Sequence, residues 1–123
     1  MSDTQRHTIR NHSKGFYHAF SGIWHFVISE RNATVHLAAT ILVIAAAIYF
    51  RVSLGEAMAL TFSIGIVWIT ELLNTCLEKT LDFISKDEDP KLKFIKDVAA
   101  GAVLIASFTA LIVGLFIFIP KII

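Results

Sequence analysis

Uncharged, apolar stretches alternate with short polar ones along the chain, and three of the apolar stretches have the length scale of a bilayer. Val98 to Ile119 carries no charge and is closed by Pro120 and Lys121. At about 1.5 Å per residue it spans roughly 33 Å as a helix, enough to cross a hydrocarbon core. Ala33 to Phe50, ended by Arg51, is a second segment near the lower length limit for a span. Ala57 to Thr70 has only Thr61, Ser63 and Thr70 as polar residues. Alone it covers roughly 21 Å, too little to cross, so its helix must run on through Glu71 and beyond. Upstream, Phe16, Phe20, Ile23, Trp24 and Val27 recur at helical spacing, while Lys14, His18, Ser21 and His25 follow the same period on another face. That pattern predicts an amphipathic helix over 14–30 lying in the membrane interface. The alternative is a helix packed on a soluble partner. Residues 1–13 are expected to be a disordered tail. The fold class that follows is an all-α integral membrane protein with one domain, a surface helix and membrane helices over 33–50, 57–84 and 97–119.

Composition supports lipid as the solvent. Of 123 residues, 55% are hydrophobic and 17% charged, with ten Phe. A soluble domain of this size buries too small a fraction of its surface to hide so much apolar area. A net charge of +1 without an extended basic patch gives no footing for nucleic acid. The single cysteine, Cys76, excludes an internal disulfide and zinc-type spacing. The polar, basic start has no apolar core followed by small residues, so a cleavable signal peptide is not expected.

Charge also sets the orientation. Arg6, Arg10, Lys14, Arg31, Lys79, Lys86, Lys91, Lys93 and Lys96 fall on one side of a three-span arrangement, Arg51 and Lys121 on the other. This asymmetry puts the N-terminus and the 79–96 connection in the cytoplasm, and the C-terminus outside.

Glu71, Asn74, Glu78 and Asp82 stand at offsets of 3, 7 and 11 on the second span. At 100° per residue they lie within about 80° of one another, on one helix face. A carboxylate at the membrane level of Glu71 is costly and marks a functional site by default. Glu30, Lys96 and Asp97 are expected at the same cytoplasmic boundary. Crowded carboxylates need cations, and a hard divalent ion with substrate phosphates and water suits them. Phosphoryl transfer fits this chemistry, with Lys96 facing the phosphates and Glu71 accepting a hydroxyl proton. No G-x-x-x-x-G-K-S/T loop and no protein-kinase motif set is present. From residue chemistry alone, a non-enzymatic cation-binding or transport site and a purely structural polar seam remain open.

The run Glu71-Leu-Leu-Asn74-Thr-Cys-Leu-Glu78-Lys-Thr-Leu-Asp82 resembles the E-x-x-N-S/T-x-x-E-x-x-x-D motif of the prokaryotic diacylglycerol kinase family, which includes the undecaprenol kinases. Lys96-Asp97-Val-Ala-Ala-Gly101-Ala-Val is similar to that family's K-D-x-x-A/S-G/A-A-V segment. Ala19 to Gly22 and Glu30-Arg-Asn32 with His36 resemble its N-terminal elements. The resemblance covers residues 14–119. It implies a homotrimer of three-span protomers that transfers the ATP γ-phosphate to a membrane lipid alcohol. It further implies Glu71 as catalytic base, with Asn74 orienting groups around the transfer. Glu30 and Glu78 would be Mg²⁺ carboxylates in the nucleotide site, and Lys96 and Asp97 nucleotide contacts. Lys14 and His18 fall at its N-terminal nucleotide positions, where the chain departs from the family at Asn11, His18 and Ser21. Residues 87–89 fall where the family's loop approaches the nucleotide. The chain around Glu30 and its close at Pro120-Lys-Ile-Ile look more like the undecaprenol kinase branch than the diacylglycerol branch.

Overall fold

The computed structural model describes the backbone of residues 1–123 and the side chains of all but residues 9 and 10, so the side chain of Arg10 lies outside the described set. Four helices follow one another: α1 (Asp3–Ser29), α2 (Arg31–Tyr49), α3 (Leu54–Ile84) and α4 (Pro90–Ile122). Among the described residues there is no strand. α2, α3 and α4 are each long and apolar enough to cross a membrane. The chain divides into two compact units, Met1–Leu37 and Ala38–Ile123.

The first unit holds α1 and the opening turns of α2. The tail expected over 1–13 is helical from Asp3. A capping box explains the early start: the Gln5 N–H donates to Ser2 Oγ at 3.2 Å and the Ser2 N–H to Gln5 Oε1 at 2.9 Å. Two of the orphan donors of the first turn are thereby satisfied by residues that apolar periodicity does not register. α1 ends at Glu30, whose backbone is extended (φ −101°, ψ 125°). The Glu30 N–H donates to the Phe26 carbonyl at 3.1 Å, and the Glu30 carbonyl accepts from the Ala33 N–H at 3.1 Å. One residue thus closes α1 and opens α2. Phe26 and Ala33 on either side of it are buried. Phe16, Phe20 and Trp24 stay exposed on α1.

In the second unit α3 and α4 form the closely packed pair. Burial along α3 recurs at Leu60, Ser63, Val67, Glu71 and Leu81. Along α4, Ala106 and Ile117 are buried, and Ala99, Val103, Ala110 and Val113 are half-buried. Steps of three and four residues on both helices are those of a coiled-coil seam. The four-residue ridge of small residues at Ala102, Ala106, Ala110 and Gly114 is only partly used, because Ala102 is exposed. Ion pairs close the seam at both ends. Lys96 Nζ lies 2.5 Å from Asp82 Oδ1, and Lys121 Nζ lies 3.1 Å from Glu56 Oε1. These pairs make α3 and α4 antiparallel. The helical rise from Glu56 to Asp82 is about 39 Å, close to a bilayer core with its headgroup layers.

The turn between α2 and α3 is tightly specified. The Val52 N–H donates to the Ala47 carbonyl at 3.2 Å and the Arg51 N–H to that of Ile48 at 3.3 Å. This is a Schellman closure, with Arg51 in the left-handed position at φ 51°. Ser53 then caps α3 in a second capping box with Glu56. Hydroxyls inside the spans bond to their own helices: Ser63 donates to the Ala59 carbonyl at 2.8 Å and Thr70 to that of Ile66 at 2.9 Å. Without water in the core, this is how a hydroxyl stays satisfied.

α4 begins at Pro90, not near residue 97. Asp89 caps it by accepting from the Lys91 N–H at 2.8 Å, and Pro90 stands at the start, where a missing N–H has no consequence. Residues 90–96, outside the membrane helices expected over 57–84 and 97–119, are therefore helical. At the other end α4 runs through Pro120 to Ile122. α3 likewise starts at Leu54 and α2 at Arg31. Hydropathy finds the lipid-buried part of a helix, and caps decide where the helix stops.

Candidate functional site

The polar stripe lies on α3 and grades from buried to exposed. Glu71 is 5% exposed, Asn74 is half-buried and Glu78 is exposed. Glu71 and Asn74 take successive seam positions in steps of four and three after Val67, and Glu78 continues the step. The one-face geometry expected from offsets 3 and 7 is therefore realised as a seam facing another helix. Asn74 Nδ2 donates to Glu78 Oε1 at 3.2 Å. Its Oδ1 is buried and has no hydrogen-bond partner. A buried carbonyl oxygen without a donor is costly and rare. It is an open acceptor that a hydroxyl, a water or a cation would satisfy.

Asp82 ends the stripe, about 16 Å along the axis from Glu71. It pairs with Lys96 of α4. Asp82 stands two residues before the end of α3 and Lys96 six residues after the start of α4, and only the folding back of the hairpin brings them together. Lys96 is held by Asp82 at the mouth of the stripe. Asp97 pairs with Lys93 at 2.5 Å on its own helix, both well exposed.

A cavity of about 480 Å³ opens beside this mouth. Lys96, Asp97, Asp82 and Lys93 line it together with the turn residues Ser85 and Asp87 to Pro90. Ser85 was not singled out from sequence, and Lys93 was read only as one of the cytoplasmic cations. Their signal is proximity to the turn, which only the packed hairpin reveals. Both cations and acids line the cavity, and within that lining the Asp87 N–H donates to Ser85 Oγ at 3.2 Å.

The remaining candidates lie in the first unit. Lys14 and His18 are exposed on α1, four residues apart on one face. The His18 ring stands edge-on to Tyr17 with centroids 5.6 Å apart. Glu30 is half-buried at the α1–α2 junction.

The donor set suits a hard divalent cation. Carboxylate oxygens and an amide oxygen are the ligands that Mg²⁺ takes, and it needs only one or two protein carboxylates when phosphates and water complete its shell. Among the described residues no three acidic, His or Cys side chains converge into a complete cage. Glu78 with the open Asn74 Oδ1 is a partial shell of the kind that a phosphate-bound ion completes.

Comparison with known proteins points the same way. A family profile described as prokaryotic diacylglycerol kinase matches residues 17–118. Over 120 residues the chain is 38% identical to an undecaprenol kinase of Bacillus subtilis (strain 168), covering 98% of each chain. Over 106 residues it is 34% identical to a diacylglycerol kinase of Synechocystis sp., covering 85% of this chain and 61% of that longer protein.

Proposed function

The chain belongs to the prokaryotic diacylglycerol kinase family of membrane lipid kinases, and on that premise we propose that it transfers the ATP γ-phosphate to the hydroxyl of undecaprenol. The observation that carries the site is the buried carboxylate of Glu71, continued by Asn74 and Glu78 toward the lysine-bearing mouth at Lys96. Full-length likeness to an undecaprenol kinase favours a polyprenol over diacylglycerol.

In this reading the lipid hydroxyl approaches Glu71 from the membrane. Its oxygen forms the new bond to the γ-phosphorus as the bond to the β-phosphate oxygen breaks, and its proton passes to Glu71. ADP leaves with that oxygen. Burial keeps water away from Glu71, so the acceptor is the lipid and not water. Asn74 orients groups around the transfer by holding Glu78 through its Nδ2, with its open Oδ1 turned to the ion or to a water beside it. Glu78 is a carboxylate for Mg²⁺, and Glu30 is the second on the family resemblance. When bound, the ion neutralises charge on the phosphates. Lys96 offsets charge on the transferring group, and Asp97, Lys14 and His18 bind the nucleotide. Most of the rate in such transfers comes from positioning and electrostatics.

We further propose a homotrimer with active sites shared between protomers, a cytoplasmic active face in the inner membrane, and α1 lying in the interface. Mixing two individually inactive variants, one at Glu71 and one at Glu30, tests site sharing. Recovered activity supports it, and a dead mixture counts against it.

The deciding assay offers purified protein labelled ATP and Mg²⁺ with undecaprenol and diacylglycerol side by side. Faster labelling of undecaprenol is the expected result. Faster labelling of diacylglycerol would reassign the acceptor. No labelled lipid at all would sink the reading.

A further inference from the structure

Trp68 and Thr40 are not part of the polar stripe. The Trp68 Nε1–H donates to Thr40 Oγ1 at 2.9 Å, joining α3 to α2 inside their apolar segments. Both residues are half-buried. Trp68 precedes Glu71 by three residues, about 4.5 Å along the axis and some 60° around it. Glu71 therefore turns toward the α4 seam while Trp68 reaches α2.

Packing does not make this bond redundant. Beyond it, on the side away from Glu71, α2 and α3 part to leave a cavity of about 260 Å³ between Val43, Ala47 and Ile48 of α2 and Leu60, Thr61 and Ile64 of α3. Coiled-coil packing along α4 fixes how far apart α3 and α4 lie, and the ion pairs at the two ends of the seam limit sliding, yet the small and aliphatic side chains between them tolerate rotation. A directional bond between an indole and a hydroxyl does not. In hydrocarbon an indole N–H that leaves its acceptor finds no water to replace it.

We propose that the Trp68–Thr40 hydrogen bond is a positioning contact for the kinase reaction, fixing the rotation of α3 so that Glu71 meets the lipid hydroxyl. This rests on the lipid-kinase reading above. Neither residue touches a reacting atom; both act through Glu71. Misplacing a reacting group by a fraction of an ångström lowers turnover and leaves nucleotide binding alone.

The test compares Thr40→Val, which keeps the shape and loses the acceptor, with Thr40→Ser, which keeps the acceptor. Folded protein is quantified by gel filtration in detergent, and rates are expressed per folded protein with the parent measured in parallel. Thr40→Val should lower kcat about tenfold with KM for ATP unchanged. Thr40→Ser should retain kcat within about twofold of the parent, by the same positioning argument. Trp68→Phe should lower kcat similarly, and the pair Thr40→Val with Trp68→Phe should be no worse than either alone. Parental kcat in Thr40→Val, or full additivity of the two changes, would overturn the proposal. An inactive parent would instead overturn the kinase reading itself.

Discussion

At the scale of single residues, the site is a problem in solvation. Glu71 is a carboxylate kept from water within an apolar helix, and its position three residues from Asn74 makes the two neighbours on one face. Replacing Glu71 by Gln preserves size and removes the proton acceptor. Lipid phosphorylation should fall by about 10²–10⁴-fold with the protein still folded, as read by single-turnover rates with labelled ATP. Asn74→Asp retains an oxygen but loses the Nδ2 donor to Glu78, so its defect should be partly relieved by raising Mg²⁺, and the Mg²⁺ dependence of the rate checks this. Arg51 presents the opposite case, where backbone geometry and not solvation decides. Its left-handed φ of 51° suits glycine, and an L side chain there costs roughly 1–2 kcal/mol. Glycine adds freedom to the unfolded chain, which offsets part of that gain. Arg51→Gly should leave a net stabilisation of about 0.5–1 kcal/mol, seen as a higher thermal midpoint in detergent.

At the scale of helices, ends matter as much as faces. Glu56 Oε1 accepts from both the Ser53 N–H and Lys121 Nζ, so one oxygen caps α3 and ties it to α4. Glu56→Gln keeps a capping side chain and loses the ion pair. Glu56→Ala loses both. Thermal unfolding should therefore rank parent above Glu56→Gln above Glu56→Ala, and equal midpoints for the two variants would assign the whole effect to the ion pair. The pair at the other end is more open to solvent, so Asp82→Asn should cost less than about 1 kcal/mol. These ends are also where sequence reading stopped. The three apolar segments and the face shared by Glu71, Asn74 and Glu78 were legible, because lipid and helical period impose them directly. Ser2 with Gln5, Asp89 with Pro90 and Ser53 with Glu56 shifted the starts of α1, α4 and α3, because caps act through individual hydrogen bonds that average hydropathy does not see. Lys96 with Asp82 was illegible for another reason: it depends on how two helices fold back on each other.

At the scale of the whole molecule, the chain is a multi-pass membrane protein, and its charge asymmetry makes a definite topological statement. With Cys76 replaced by alanine, a single cysteine at position 88 should react with a membrane-impermeant maleimide only after permeabilisation, whereas one at position 123 should react in intact cells. The reverse pattern would invert the proposed orientation. The left-handed stop at Arg51 carries a consequence for how such a protein adapts to a different host bilayer. Its first span is terminated by stereochemistry and not by running out of greasy residues. Adding one leucine would swing the stop, and everything after it, by about 100° around the axis. Thickness can therefore be matched only in whole-turn increments of roughly 5.4 Å, so descendants of this chain should differ in span length by quanta of three or four residues and rarely by one.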